Sequence, residues 1–311
     1  MASLTSLERL AVALEAALEA GAVQADQPLA RHTTLRVGGP ADLLVEATTL
    51  STLEQAVRLA ARLGVSCRVL GSGANVLVSD AGVRGLVVLN RARSVSFPAG
   101  GVRAESGATL ARVARRCVSL GLAGLEWAVG IPGTVGGAVV GNAGAWGGDV
   151  ASSLLSATVL NAGGTVAEWP AARFGYDYRK SALKYQPPGA GPRSVVMAAS
   201  FLLKQADRTA LEARVADIQA RRRVTQPTGA SCGSVFRNPP GDYAGRLIEA
   251  AGLKGYRSGG AQISPVHANF IINRGRASAA DIKALIDRAS QEVQSRFGVR
   301  LELEIELMGD W

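Results

Sequence analysis

The sequence contains few of the residues from which disulfides, metal sites or membrane spans are built. Its three cysteines, Cys67, Cys117 and Cys232, are far apart and form no CxxC pair, so neither a disulfide framework nor a metal site is predicted. No apolar run approaches the ~20 residues that a bilayer crossing needs. The N-terminus has no basic region ahead of a short apolar core, so we expect no signal peptide, no membrane partner and a cytoplasmic protein.

Aromatic residues and lysines are also scarce. The net charge of +9 could serve an anionic partner, either nucleic acid or a phosphate-bearing small molecule. However, only five lysines accompany 29 arginines scattered along the chain, a pattern more typical of compositional bias than of a basic tail. Aromatics make up 5% of residues and do not alternate with basic residues, so we expect no nucleic-acid partner. A nucleic-acid binder nevertheless stays one alternative function for this chain, and its affinity would fall steeply with salt.

Hydrophobic periodicity and capping residues predict an α+β protein. Capping boxes at Thr5/Glu8, Ser51/Glu54 and Ser278/Asp281 each begin a predicted helix. Further helices are predicted at 108–120, 209–223 and 242–251. Strands are predicted at TLRVGG, DLLVEA, CRVLG, HANFIIN and RLELEIELM, and a hairpin at SATVLNAGGTVAEW. At 311 residues the chain fits two or three domains, and we place a boundary near residue 205.

Two glycine-rich loops have the composition of a phosphate-binding site. In the first, VLGSGANVLVSD, bare backbone amides follow a strand, but strand periodicity and not a helix comes next, which excludes the Rossmann and P-loop motifs. The second, Gly130–Gly148, includes GGAVVGN, which could form a helical turn that offers its N-terminal amides to an anion. Glycine clusters are more often simple tight turns. Two such loops about sixty residues apart nevertheless favour an extended cofactor with a diphosphate.

Six motifs in one order resemble those of the UDP-N-acetylenolpyruvoylglucosamine reductases, the MurB family of flavoenzymes in bacterial peptidoglycan synthesis. The motifs are LGSGANVLVSD, GIPGTVGGAVVGNAGAWGG, YDYRKS, CGSVFRNP, AGRLIEAAGLKG and GGAQISPVHANFIIN, and the resemblance covers residues 28–307. The short connection from Tyr178 to Phe201 resembles the type II members, which lack an extra tyrosine-bearing loop.

The resemblance implies a fold, two cofactors and a substrate. The expected fold is a two-subdomain FAD-binding fold of the vanillyl-alcohol-oxidase type with a C-terminal α/β substrate-binding domain. The expected domains are 1–90, the first FAD-binding subdomain with an N-terminal helix, 91–205, the second, and 206–311, the substrate-binding domain. FAD and NADPH are the implied cofactors. The implied partner is a small UDP-sugar, UDP-N-acetylglucosamine enolpyruvate, reduced to UDP-N-acetylmuramate by an enzyme that we expect to be a monomer.

By motif position, the family's catalytic residues correspond to Arg179, Ser234 and Glu304. Flavin N5 would deliver hydride to C3 of the enol ether, and the Ser234 hydroxyl would protonate the enolate at C2. Arg179 would hold the substrate carboxylate. Glu304 cannot be distinguished by its surroundings from Glu302 and Glu306, since strand alternation places all three on one face. Without the family pattern, Ser234 reads as part of a hairpin turn, the glutamates as a solvated strand face, and nothing sets Arg179 apart from its basic neighbours.

The remaining site residues fall into a cofactor set and a substrate set. The cofactor set lies in the two glycine-rich loops: Gly71, Ser72, Gly73, Ala74, Asn75, Val76, Pro132, Gly133, Thr134, Gly137 and Asn142. The substrate set is Asn238, Gln262 and His267; a packed imidazole is the alternative for His267. Thr225 stands where the family usually has lysine, and Arg221, Arg222 or Arg223 is the possible substitute.

Two alternatives to this chemistry follow from the same residues. A covalent nucleophile at Ser234 or Cys232 would need a positioned base, and the chain has only two histidines, so this reading is disfavoured. Cys232 is expected to be a small buried side chain. A different flavin oxidase or dehydrogenase on the same FAD fold is the first alternative to the reductase, and it gives Ser234 no role.

Overall fold

The computed structural model describes residues 4–184 and 193–311. Seven α-helices lie in these two stretches: α1 (Ser6–Ala17), α2 (Leu50–Arg62), α3 (Leu110–Ser119), α4 (Val135–Gly141), α5 (Arg208–Thr225), α6 (Ala244–Ala250) and α7 (Ala279–Phe297). The same stretches contain short 3-10 turns at Leu29–His32, Glu126–Ala128 and Ala171–Phe174. No helix of the described residues is both long and apolar enough to cross a membrane.

The strands of the described ranges are short. In chain order they are β1 (Val23–Pro28), β2 (Pro40–Ala47), β3 (Cys67–Leu70), β4 (Val76–Val78), β5 (Val83–Asn90), β6 (Val95–Ser96), β7 (Gly101–Glu105), β8 (Leu122–Ala123), β9 (Gly144–Ala145), β10 (Gly148–Asp149), β11 (Leu154–Leu160), β12 (Val166–Pro170), β13 (Val195–Leu202), β14 (Lys204–Gln205), β15 (Arg257–Ser258), β16 (Ala261–Ile263), β17 (Ile271–Asn273) and β18 (Glu306–Met308).

Two of the three predicted capping boxes are present. Thr5 and Glu8 bond reciprocally at the start of α1, and Ser278 and Asp281 do so at the start of α7. Each such cap contributes about 1 kcal/mol. The predicted Ser51/Glu54 box is wrong: α2 begins two residues earlier, and the Thr49 hydroxyl accepts the amide of Thr52. Threonine and serine are both good caps, so the sequence alone could not rank them.

Three strand predictions are also corrected. TLRVGG is not a strand, because Arg36 adopts a left-handed backbone with φ of 57°. Only the end of HANFIIN is a strand, β17. The closing strand RLELEIELM is interrupted by a bend at Glu304 and Ile305, so that only β18 remains. The predicted hairpin is present, since β11 and β12 pair antiparallel.

The chain divides into two compact units that each contain several segments. The first comprises residues 1–25, 43–71 and 85–220, and the second residues 26–42, 72–84 and 221–311. The sequence-based division into three consecutive domains remains a prediction.

The first unit has two hydrophobic cores. One lies between α1, α2 and a sheet of order β1-β2-β5-β3, in which β3 and β5 are parallel. The other packs α3 and α4 against an antiparallel sheet of order β12-β11-β13-β7-β6. Fully buried Phe174 and Phe201 lie in this second core.

The second unit has one core, in which α6 and α7 pack with the sheet β15-β16-β17. Within the same unit β4 and β18 pair in parallel, joining residues 76–78 to residues 306–308. Asp80 accepts the amides of Ala279 and Ala280 at the start of α7, where a carboxylate also complements the helix dipole.

Candidate active site

The two glycine-rich loops meet in the first unit. A Cβ added to Gly71 would lie 2.4 Å from Thr134 Oγ1, a separation that real Cβ atoms do not show. A Cβ on Gly137 would lie 3.7 Å from the same oxygen. Glycine at position 71 is therefore needed for the loops to approach. After the first loop comes β4 and not a helix, as expected for a site that is neither Rossmann nor P-loop.

The rest of the first loop belongs to the second unit. Gly73 has φ of 62°, and a Cβ there would lie 2.3 Å from the carbonyl oxygen of His32. Its own carbonyl accepts the amide of Thr34 at 3.1 Å. The Ser72 hydroxyl is buried and has no hydrogen-bond partner among the described residues. Such a buried hydroxyl needs an acceptor or donor from elsewhere, and a phosphate oxygen fits it.

The predicted helical turn in GGAVVGN is present as α4, but its first amides are not available to an anion. Val135 N–H donates to the Ala108 carbonyl at 2.9 Å, and Gly136 N–H donates to the Ser106 carbonyl at 2.8 Å. The helix-terminus mode of phosphate binding is therefore not supported here. Open space instead adjoins Gly133, where an added Cβ would meet no atom within 4 Å.

Arg179 lies in a tight turn with a strained backbone. Asp177 and Lys180 exchange backbone hydrogen bonds, at 3.3 and 3.0 Å, across Tyr178 and Arg179. Arg179 has φ of 57°, a left-handed conformation that costs a non-glycine residue roughly 1–2 kcal/mol. Its guanidinium lies 5.5 Å from the ring centroid of Tyr178. Strain of this kind commonly marks a functional position.

Side chains of the YDYRKS motif anchor this turn. Tyr176 Oη donates to the Val139 carbonyl at 2.9 Å, and Ser181 Oγ donates to the Val140 carbonyl at 2.5 Å. Buried Asn142 donates to the Asp177 carbonyl and accepts the amide of Ala151. Asn142, predicted to bind the cofactor, thus has its side chain engaged in holding the Arg179 turn.

Ser234 lies on a segment that is held by a buried asparagine outside the predicted site residues. Buried Asn269 accepts the amides of Val235 and Phe236, through its carbonyl and Oδ1, both at 2.9 Å. Its Nδ2 donates to the Phe236 carbonyl at 2.8 Å. The signal in the sequence was an asparagine inside the apolar run HANFIIN, since a buried amide must be bonded.

The three C-terminal glutamates occupy different environments. Glu302 is exposed and pairs with buried Arg237 at 3.4 Å, and Glu306 is exposed in β18. Glu304 is half-buried, and its amide donates to the Val235 carbonyl at 2.8 Å. Asn75 Nδ2 donates to the Glu304 carbonyl at 3.1 Å. Glu304 therefore lies on a segment bonded directly to the residue after Ser234.

Cys232 has the environment of a packed apolar side chain. It is 3% exposed in the core of the second unit, and burial raises the pKa of its thiol to about 12. A thiol held neutral in this way is a poor nucleophile. The expectation of a small buried filler is confirmed for this residue.

The predicted substrate residues each make contacts within the chain. Asn238 is exposed and accepts the amide of Ala244 at the start of α6 at 3.1 Å. Buried Gln262 donates to the Gly255 carbonyl at 3.0 Å. The hydroxyl of Thr225, in the last turn of α5, donates to the Arg221 carbonyl, and burial lowers the pKa of half-buried Arg222.

His267 is a half-buried imidazole. Its Nδ1 accepts the amide of Asn269 at 3.2 Å, and its ring centroid lies 5.0 Å from that of Phe270. Burial is the main cause that lowers its pKa below the ordinary 6.5. The packed alternative raised from the sequence thus describes its contacts.

This environment predicts an acid-sensitive contribution to stability. Just below pH 6.5 the unfolded chain binds a proton at His267 that the folded chain resists, so the stabilisation present above pH 6.5 decreases as pH falls. Between about pH 7.5 and 5.5, the unfolding temperature of the parent should therefore fall further than that of His267→Gln, measured by calorimetry. Equal slopes for the parent and His267→Gln would contradict the prediction.

The FAD binding domain family matches residues 41–169, so the chain is a flavoprotein of α+β fold, as predicted. The C-terminal domain of UDP-N-acetylenolpyruvoylglucosamine reductase matches residues 225–308. In the described ranges, no cluster of three or more histidine, cysteine or acidic side chains could hold a metal ion.

Whole-chain relatives then give the family. A UDP-N-acetylenolpyruvoylglucosamine reductase of Chloroflexus aggregans is 48% identical over 91% of this chain and 96% of the relative. One of Symbiobacterium thermophilum is 45% identical over 93% of each. The crystal structure of the MurB reductase from Thermus caldophilus superposes with a TM-score of 0.78 at 36% identity, covering 92% of this chain and 98% of that one. The chain belongs to the UDP-N-acetylenolpyruvoylglucosamine reductase family. Residues 185–192, in the connection compared with type II members, lie outside the described residues.

Proposed function

We propose that this chain reduces UDP-N-acetylglucosamine enolpyruvate to UDP-N-acetylmuramate with NADPH, a step in the synthesis of peptidoglycan precursors. The observation that carries the proposal is the match to a named reductase over 91% of this chain and 96% of that relative, because it includes both the cofactor domain and the C-terminal domain. The chain is accordingly an FAD-dependent oxidoreductase.

The residues of the glycine-rich loops fit the diphosphate of FAD. The unpartnered buried hydroxyl of Ser72 supports this assignment, as does the open space beside Gly133. FAD, when bound, supplies a hydride that originates from NADPH. The cofactor set assigned from the sequence, Gly71–Val76 with Pro132, Gly133, Thr134 and Gly137, would hold it; Asn142 would act through the Arg179 turn.

Three side chains would complete the chemistry. Ser234 would donate a proton to C2 of the substrate, where hydride addition at C3 leaves an enolate. Arg179 would hold the substrate carboxylate with its planar, permanent cation. Glu304, half-buried on the segment bonded to Val235, would stabilise the proton donor's position or charge. The position of Arg179 in a strained, multiply anchored turn supports its role.

Asn238, Gln262 and His267 are proposed to contact the UDP-sugar. Asn238 is exposed, and each of the three lies in the second unit, which contains the family's C-terminal domain. Arg222 is the strongest substitute for the lysine that Thr225 replaces, because its guanidinium is half-buried. We further propose a cytoplasmic monomer with no nucleic-acid partner.

A different flavin oxidase on the same cofactor fold is the alternative, and one experiment separates the two. Addition of NADPH to the oxidised protein should bleach the visible absorbance of the flavin. Anaerobic addition of the enolpyruvyl substrate should then restore it, with UDP-N-acetylmuramate as product. Restoration only by air, with peroxide formed, would favour the oxidase and reject the proposal.

A further inference from the structure

Two consecutive residues at the end of β5, Asn90 and Arg91, are bonded to both glycine-rich loops. Neither belongs to the sites assigned above. Arg91 Nη1 donates to the carbonyl oxygen of Gly71 at 2.8 Å, and its side chain is 19% exposed. Its Nε lies 3.9 Å from a carboxylate oxygen of Glu46, which is too far for a hydrogen bond. The hydrogen bond to the Gly71 carbonyl is therefore the stronger of these two contacts.

Asn90 reaches the second loop through Ser106. Its Nδ2 donates to Ser106 Oγ at 2.7 Å, and both residues are buried. The Ser106 carbonyl then accepts the amide of Gly136, in α4. A Cβ on Gly136 would lie 2.8 Å from Ser106 Cβ, so these segments approach as closely as glycine permits. Hydrogen bonds therefore connect Asn90 to α4 through buried Ser106.

The loops joined in this way also touch each other, at Gly71 and Thr134. We propose that Asn90 and Arg91 are positioning residues that fix the two loops for the diphosphate of FAD. The inference rests on the proposed assignment of these loops to the cofactor. It adds two residues that hold the loops from behind without being required to touch the cofactor.

The physical reason lies in the peptide bond that follows Gly71. The carbonyl and the next N–H of a trans peptide point in opposite directions. A guanidinium that holds the Gly71 carbonyl therefore turns the amide of Ser72 the other way, as a donor to an anion. A loop already held in its binding geometry loses less freedom when the ligand binds, which raises affinity.

The test compares variants of the full chain after removal of FAD. Arg91→Gln removes the charge-assisted hydrogen bond and should weaken FAD binding by about tenfold or more. The quenching of flavin fluorescence on binding measures this affinity. Arg91→Lys retains a cationic donor and should recover part of the loss. The ³¹P shifts of bound FAD should move in Arg91→Gln, because the contacts of its diphosphate change.

Arg103→Gln is the matched control. Arg103 is a half-buried arginine of the same unit whose guanidinium donates to Ser200 and Thr158, away from both loops. It should retain parent FAD affinity and ³¹P shifts. If Arg91→Gln does not fold, Ser106→Ala removes the hydrogen bond that connects Asn90 to the second loop, without changing charge. This variant should also weaken FAD binding.

The outcomes are distinct. Parent-like FAD affinity and ³¹P shifts in folded Arg91→Gln, or in Ser106→Ala where that variant is used, would overturn the inference and leave the proposed function intact. A parent protein that binds no FAD at all would instead overturn the proposed function. Equal losses in Arg91→Gln and Arg103→Gln would also reject the inference, because the effect would then be one of general stability.

Discussion

Ser234→Ala should be reduced by NADPH at the parent rate and should be reoxidised by the enolpyruvyl substrate about 10²–10⁴-fold more slowly. The two half-reactions differ in their need for a proton at carbon. Reduction by NADPH needs no proton donor at residue 234. Completion of the substrate's reduction needs a proton at C2, and alanine has none to give. Stopped-flow absorbance of the flavin measures both rates in one preparation.

The structure indicates that this substitution is local. The described backbone bonds of the segment involve Val235, Phe236 and Asn269, so they remain when the Ser234 hydroxyl is removed. Ser231→Ala, in the same loop, serves as the control and should behave as the parent. If Ser234→Ala retained parent rates in both half-reactions, the proton would have to come from another group.

The second large effect concerns the three glutamates near the C-terminus. Glu304→Gln should slow reoxidation by the substrate by about 10²-fold or more, the lower end of what a group acting in proton transfer contributes. Glutamine keeps the size of the side chain and removes its charge. Glu302→Gln and Glu306→Gln make the same chemical change within two residues, at exposed positions, and should remain within about threefold of the parent, since surface changes are usually small.

This series tests the assignment directly. Glu302 pairs with Arg237 and Glu306 lies in β18, so losses in these variants would appear in stability before they appeared in rate. Thermal unfolding should be measured alongside the kinetics for that reason. A parent-like Glu304→Gln, or an equal loss in all three variants, would show that the family's motif position does not identify the active carboxylate in this chain.

The parts of the fold that the sequence predicted well were those set by local rules. The caps of α1 and α7 and the hairpin of β11 and β12 depend on residues only a few positions apart, so short patterns were sufficient. The strand predictions failed at TLRVGG and RLELEIELM, where the backbone bonds to residues far away in the chain; the Leu35 carbonyl, beside the left-handed Arg36, accepts the side-chain amide of Asn273. The bend at Glu304 lies where Asn75, 229 residues earlier, holds the carbonyl.

The candidate site likewise has parts that the sequence predicts and parts that depend on tertiary contacts. Glycine content located both loops, and the contact between Gly71 and Thr134 explains one of those glycines. The use of the first amides of α4 by Ala108 and Ser106 could not be foreseen, because it is a tertiary contact. Asn269 and Arg91 were overlooked for a related reason: a polar residue that bonds to backbone groups has no motif of its own, and burial has to be seen to be recognised.

The bond between Asn75 and the Glu304 segment has a consequence for synthesis on the ribosome. Asn75 receives the amide of Glu306 as well as donating to Glu304, and the adjacent β4 is paired with β18. These supports of the first loop cannot form while the nascent chain stops short of residue 308. Until then, residues 76–78 lack their partner β18. An exposed, unpaired strand edge of this kind is prone to aggregation and is bound by chaperones.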